Sequence, residues 1–158
     1  MKKYFKYVIC ILLIIIDQLS KYIVSVNFDL YETKVIIKNF FNITYNINDG
    51  AAFGILSGAR IFFILITVFI MFYLIKNLKE FIENNGKFTI FSVTIIISGI
   101  IGNLIDRICF GYVRDFLDFR IFTYKYPIFN FADSFIVIGV ILLIISEVKN
   151  GKNSNKWK

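Results

Sequence analysis

The chemistry this sequence offers most readily is that of a carboxylate pair. Asp115 and Asp133 each stand at the edge of a long apolar run, and Asp17, Lys21, Asn103, Asp106, Arg107, Arg114 and Asp118 interrupt or border such runs. An ionisable side chain at membrane depth costs about 2.5–3.5 kcal/mol at a helix centre. Such residues persist where they pair, face a wet cavity or react. Two carboxylates held close in a low-dielectric pocket cannot both ionise, so they share a proton and titrate together. The ionised member takes a proton from water while the neutral one hydrogen-bonds a carbonyl oxygen, which is peptide hydrolysis of the aspartic-protease kind. The sequence contains no histidine, which removes Ser-His and Cys-His nucleophile pairs and most zinc sites. Cys10 and Cys109 flank apolar runs without metal-like spacing and read as small buried hydrophobes.

Spacing alone leaves other uses of these residues open. Asp115 and Asp133 would also serve in salt bridges with Arg107 and Arg114 at a membrane boundary. A cation-coupled transporter or a channel would carry them too, although short spans without an evident repeat argue against a transporter. Ser25 stands four residues from Lys21, the spacing of a Ser-Lys dyad on a helix, whereas the adjacent Ser20 diverges from it. Asp118, three residues beyond Asp115, rivals it as a dyad member. Asp17 and Lys21 are four apart and read as a structural ion pair. Asp106, beside Arg107, reads as a residue that fixes its helix.

The elements that must position these residues are membrane spans. The 158-residue chain is 58% hydrophobic and 18% charged, with a mean hydropathy of +0.71; a soluble domain is nearer half apolar and a quarter charged. Segments at about 5–26, 59–78, 88–108 and 129–147 are long enough to cross a bilayer. The first begins as a secretory signal would, but Asp17-Gln18-Leu19-Ser20-Lys21 stands where a cleavage site belongs, and the apolar run resumes to Val26. Gly99 and Gly102 in the third allow close helix contact. Residues 41–48 alternate apolar and polar and read as a strand, paired with 34–40 across a turn near Lys38-Asn39. Asn48-Asp49-Gly50 is turn chemistry, followed by Ala51-Ala52-Phe53-Gly54 and a short helical entry before Arg60. Residues 76–87 read as a charged connecting loop, 109–128 as an extramembrane loop dense in aromatics, and 149–158 as a disordered basic tail.

The predicted fold is one α-helical membrane domain over 1–158. It has four transmembrane helices and a small β-rich cradle in the external loops 27–58 and 109–128. The net charge of +7 gathers at Lys2, Lys3 and Lys6, at Lys76, Lys79 and Lys87, and at Lys149, Lys152, Lys156 and Lys158. All three clusters fall on one side of a four-span chain. The positive-inside bias therefore makes both termini cytoplasmic and places Asp115 and Asp133 near the external face. Lysines that flank spans are topology signals, not a nucleic-acid face.

The motifs together resemble those of the signal peptidase II family, the bacterial membrane aspartic proteases that process lipoproteins. Asp17-Gln18-Leu19-Ser20-Lys21 is similar to the family's first-helix motif, and Asn48-Asp49-Gly50-Ala51-Ala52-Phe53 to its Asn-x-Gly-Ala-Ala-Phe segment. Gly99-Ile100-Ile101-Gly102-Asn103-Leu104-Ile105-Asp106-Arg107 resembles its Gly-x-x-Gly-Asn-x-x-Asp-Arg block. Val113-Arg114-Asp115-Phe116 and Phe129-Asn130-Phe131-Ala132-Asp133 resemble the segments that carry its two catalytic aspartates. The blocks occur in the family's order over nearly the whole chain; Asp49, at a variable position, and Ser98, where glycine is frequent, are small departures.

The resemblance implies a substrate: a prolipoprotein whose lipobox cysteine already carries a diacylglyceryl group, cut just before that cysteine. It implies Asp115 and Asp133 as the catalytic pair, with neither metal nor organic cofactor. Asn48, Gly50, Asn103, Arg107 and Asn130 would bind or orient substrate, and Asp17, Lys21 and Asp106 would be structural. It further implies a place in the bacterial cytoplasmic (inner) membrane and binding of the cyclic peptide globomycin. The expected partners are substrate, membrane lipids and that inhibitor, with the enzyme a monomer.

Overall fold

Runs of Ile, Leu, Phe and Val too long for strands become helices here, because in lipid every backbone N–H and C=O must be satisfied within its own segment. A computed structural model describes residues 4–50, 58–122 and 124–154, the side chains of 78–85 and 149–154 excepted. In chain order the elements are α1 (Phe5–Asn27), β1 (Thr33–Ile37), β2 (Phe41–Asn48), α2 (Arg60–Cys109), β3 (Val113–Ile121), β4 (Tyr124–Lys125) and α3 (Phe131–Ser154). α2 is two helical limbs meeting at Gly86, whose φ of 74° and ψ of −163° leave the helical path in a region open to glycine. Four segments are therefore long and apolar enough to cross a membrane: Phe5–Asn27, Arg60–Asn77, Gly86–Cys109 and Phe131–Val148.

Two expectations about the helices change. Residues 76–87, read as a loop, are helical up to the break at Gly86. Their leucines, lysines and glutamates are good helix formers, so both limbs of α2 extend and the chain turns at one residue. Residues 149–154, read as disordered, continue α3, because lengthening an existing helix costs little and lysines suit its C-terminal end. The rest of the tail, 155–158, and the expected helical entry after Gly50, at 51–57, lie outside the described residues.

The two limbs of α2 run antiparallel. Arg60, at the start of the first, donates to the carbonyls of Arg107 (2.8 Å) and Ile108 (2.7 Å) at the end of the second, satisfying orphan acceptors of that helix end. Met71 and Leu74 of the first limb pack on Ile96, Ile97 and Ile100 of the second, together with Ile136 and Leu143 of α3. The second limb is the central span. Its small residues set the spacing: a Cβ at Gly99 would collide with the carbonyl of Ala132, and one at Gly102 with the carboxylate of Asp17.

At one end of the helices lies a four-stranded antiparallel sheet of order β1-β2-β3-β4. β1 and β2 form the expected hairpin, with Asn39 in the turn at φ 61°, a left-handed conformation that asparagine tolerates. β3 was expected as loop, because Val113-Arg114-Asp115-Phe116-Leu117-Asp118 does not alternate. Both faces of this strand are buried through Asp118, so polarity does not report its period. Phe116 packs edge-on against Phe131 at 5.6 Å, and Phe119 stacks between Phe41 (4.6 Å) and Phe129 (5.7 Å). With Val24 of α1 these rings seat the sheet on the helices.

Candidate active site

Asp17 and Lys21 share one face of α1, and Asp106 faces them from the second limb of α2; all three are fully buried. Charges so placed are tolerable only when paired. Lys21 Nζ lies 2.9 Å from Asp17 and 3.7 Å from Asp106, and donates to Asn103 Oδ1 at 2.9 Å. From β3, Arg114 grips Asp106 with its guanidinium (2.8 and 3.1 Å) and its backbone N–H (2.9 Å), and donates to Gln18 Oε1 at 3.1 Å. The charges of Lys21 and Arg114 thus cancel those of Asp17 and Asp106. Asp17 Oδ1 also accepts the N–H of Ala132 at 2.9 Å, tying α1 to the first turn of α3. Four elements meet at this cluster.

Beside it opens a cavity of about 740 Å³, lined by Asn48, Gly50, Asn103, Arg107, Asp115 and Asp133 and by the apolar Phe119, Val137 and Ile138. β3 delivers Asp115, and the first turn of α3 delivers Asp133. Each of the four carboxylate oxygens has a donor. Asp115 Oδ1 accepts from Asn130 Nδ2 at 2.7 Å, and its Oδ2 from Asn48 Nδ2 at 3.1 Å. Asp133 Oδ1 accepts from Asn103 Nδ2 at 2.7 Å, and its Oδ2 from the N–H of Asn130 at 3.2 Å. Asn130 Oδ1 in turn accepts the N–H of Asp133 at 3.0 Å. Asn130 and Asp133 therefore form the reciprocal capping box of a helix start, with the spare amide of Asn130 reaching across to Asp115. Asn48 is oriented in the same way, its Oδ1 accepting the N–H of Gly50 at 3.0 Å.

Burial, and then the charge of Asp133, push the Asp115 carboxyl from 3.8 up to about 7, against the hydrogen bonds from Asn48 and Asn130. Arg107 stands over the Phe63 ring at 5.2 Å, with its guanidinium 3.5 Å from the Gly50 carbonyl. Of the residues expected at the site, Asn48, Gly50, Asn103, Arg107, Asp115 and Asp133 share the cavity wall. Asn130 is fully buried behind it, bonded to both aspartates.

The rival residues lie elsewhere. Asp118 Oδ2 accepts from the Thr44 hydroxyl at 2.8 Å and the Asn42 amide at 3.4 Å, away from the cavity wall. The hydroxyls of Ser20 and Ser25 donate to carbonyls of their own helix at 2.7 and 2.9 Å, and Lys21 is already engaged. Sequence reasoning did not name Gln18 as a member of the ion cluster, nor Val137 and Ile138 as cavity wall. The latter were legible, since they follow Asp133 by four and five residues, about one turn further along the same helix.

Four described helices long and apolar enough to cross a membrane, with two hydrogen-bonded aspartates, Asp115 buried and Asp133 half-buried, in a cavity at their sheet end, fit a membrane-embedded aspartic peptidase. Sequence comparison agrees. The chain is 40% identical over 161 residues to the lipoprotein signal peptidase of Staphylococcus aureus strain bovine RF122 / ET3-1, covering 98% of this chain and 96% of that one. Strain JH9 of the same species has a lipoprotein signal peptidase with the same identity and coverage. Two solved structures, described as bacterial membrane enzymes determined by the in meso method at 2.3 and 1.9 Å resolution, superpose with TM-scores of 0.87 and 0.83 at 39% identity. They cover 96% and 94% of this chain, and 92% and 95% of theirs. The profile of signal peptidase (SPase) II matches residues 9–149. This chain belongs to the signal peptidase II family and is a multi-pass membrane protein.

Proposed function

We propose that this enzyme removes the signal peptide from diacylglyceryl-modified prolipoproteins, cutting before the lipidated cysteine with Asp115 and Asp133 as its catalytic pair. The observation that carries the reading is the shared asparagine: Asn130 hydrogen-bonds both carboxylates and so holds them at one cavity wall. The two carboxylates share one proton and titrate as a coupled pair; with that proton on Asp115, Asp133 is the ionised member. A water between them attacks the scissile carbonyl carbon. Asp133 takes the water's proton while Asp115 passes its own to the carbonyl oxygen, giving a gem-diol. Collapse breaks the C–N bond: Asp133 protonates the departing cysteine nitrogen, and Asp115 recovers a proton from a diol hydroxyl. The products are a signal peptide with a free carboxyl and a lipidated cysteine with a free amino group.

Asn48, Asn103 and Asn130 orient the pair, and Arg107 with Gly50 receives the substrate backbone. Phe119, Val137 and Ile138 give the apolar wall for the signal helix and for the acyl chains on the cysteine. Lys6 near the start of α1, Lys76 and Lys87 about the Gly86 turn, and the lysine-rich end of α3 lie at the end of the helices away from the sheet. By the positive-inside bias that end, with both termini, is cytoplasmic, and the sheet is external to the bacterial cytoplasmic (inner) membrane. Lipid surrounds exposed residues such as Ile61, Leu65, Phe69 and Phe72. The enzyme works as a monomer, and globomycin occupies the same cavity.

The test is cleavage of a diacylglyceryl-modified prolipoprotein by the purified protein in detergent, beside Asp133→Asn and with globomycin added. The wild type should cut before the lipidated cysteine, and the variant and the inhibited enzyme should not. A variant that cuts like wild type moves the active site elsewhere.

A further inference from the structure

We propose that Lys21 is a positioning residue for the catalytic pair and acts through Asn103, an inference that rests on the reading just given. An asparagine amide offers an acceptor at one end and donors at the other. It supports a carboxylate only when Nδ2 faces it; reversed, it sets Oδ1 against another oxygen. Three asparagines face the pair. The amides of Asn48 and Asn130 are fixed by the backbone N–H groups of Gly50 and Asp133, which no ordinary substitution there removes. Asn103 alone is fixed by a side chain: its Oδ1 accepts from Lys21 Nζ at 2.9 Å while its Nδ2 donates to Asp133 at 2.7 Å. An ammonium only donates, so Lys21 permits one orientation of Asn103 and excludes the other.

Pairing with Asp17 does not by itself account for Lys21. That pair lies within one helix at 2.9 Å and engages one of three ammonium protons. A second proton goes to Asn103, whose other end touches Asp133, while Asp106 has its own tight partner in Arg114 at 2.8 Å. Among the described residues the buried ion cluster therefore has a single side-chain connection to the catalytic carboxylates, and it runs through this amide. Asp17 adds a second tie by holding the N–H of Ala132, the residue before Asp133.

The experiment is a double-mutant cycle in detergent with the lipidated prolipoprotein substrate, reading kcat and KM separately. Asp17→Asn with Lys21→Met removes the ammonium while leaving the cluster's net charge unchanged, and residue 17 keeps an acceptor for the Ala132 N–H. This pair should lower kcat about 10- to 100-fold, the scale of a misplaced catalytic group, with KM little changed. Asn103→Leu should do the same, and adding the pair to Asn103→Leu should cost little more, since groups acting through one contact are not additive. Asp17→Asn with Lys21→Gln, which restores an N–H donor, should recover most of the loss. Additive losses, an effect confined to KM or to the folded fraction, or a folded glutamine variant as inactive as Asn103→Leu would each overturn the proposal. If the methionine variant does not fold, the glutamine variant decides alone. Asp133→Asn run alongside separates the two readings: if it is inactive, the cycle judges the positioning role, and if it cleaves, the catalytic pair is wrong and Lys21 loses its role with it.

Discussion

Among the described residues, neutral donors, three asparagine amides and one backbone N–H, hold the two aspartates. Burial, and then the charge of Asp133, sets the pH behaviour of Asp115. Its carboxyl rises from 3.8 to about 7 on burial beside Asp133, so the fold favours the protonated form. That contribution is complete below the unfolded value and is lost as pH climbs toward 7. Asp115→Asn, with nothing to ionise, should flatten this dependence. Thermal unfolding in detergent across that window should show the wild-type Tm falling toward neutrality and the variant several degrees above it at pH 7, at about 2–4 °C per kcal/mol for a chain of this size. The same variant, like Asp133→Asn, should lose about 10²–10⁴ in kcat, the usual share of a general acid or base. Asp118→Asn should keep most of its turnover, because the new side chain still accepts from Thr44; a dead but folded Asp118→Asn would move the pair.

At the scale of elements, the strand that carries Asp115 was the part hardest to read. Its alternation is hidden because Arg114 and Asp118 are buried on one side among polar partners, while Asp115 faces the cavity on the other. Had 113–121 been read as a strand, Asp115 and Asp118 would have been placed on opposite faces, since residues an odd number apart alternate, and one of them excluded from the pair. The β1–β2 hairpin was legible because β2 alternates strictly, although its more buried face is the polar one, where Asn42 and Thr44 meet Asp118. The helix contacts were legible from Gly99 and Gly102. Gly99→Val should press on the Ala132 carbonyl and push the first turn of α3 outward, carrying Asp133 with it. Overpacking of this kind costs about 1–3 kcal/mol. Unfolding in detergent and cleavage should fall together, whereas a substitution on the lipid face, such as Leu65→Ala, should spare activity.

For the whole molecule, hydropathy alone located the spans, because a membrane helix must be apolar along its length. The turn between the limbs of α2 was misjudged because charge there marks the exit from lipid, not the end of a helix. The proposed orientation rests on the lysines and is open to direct measurement. In a background of Cys10→Ser and Cys109→Ser, Lys38→Cys and Phe122→Cys on the sheet should react with an impermeant maleimide added outside intact cells. Lys87→Cys, at the Gly86 turn, should react only after the membrane is opened. The reverse pattern would invert the proposed topology.

The ion cluster also fixes an order of assembly. Asp17 and Lys21 neutralise each other within α1, so the first helix enters the bilayer with its two central charges already paired. Asp106 finds its tightest partner in Arg114, which is synthesised only after α2 and comes into place when β3 folds. Asp133 arrives last, on α3, held by contacts with Asn103 from the span before it and by the Ala132 tie to the first. On the proposed assignment of the pair, a nascent chain contains no working peptidase. With Asp115 and Asp133 as the proposed pair, hydrolytic competence appears in a single late step, when the final helix inserts and the two carboxylates meet.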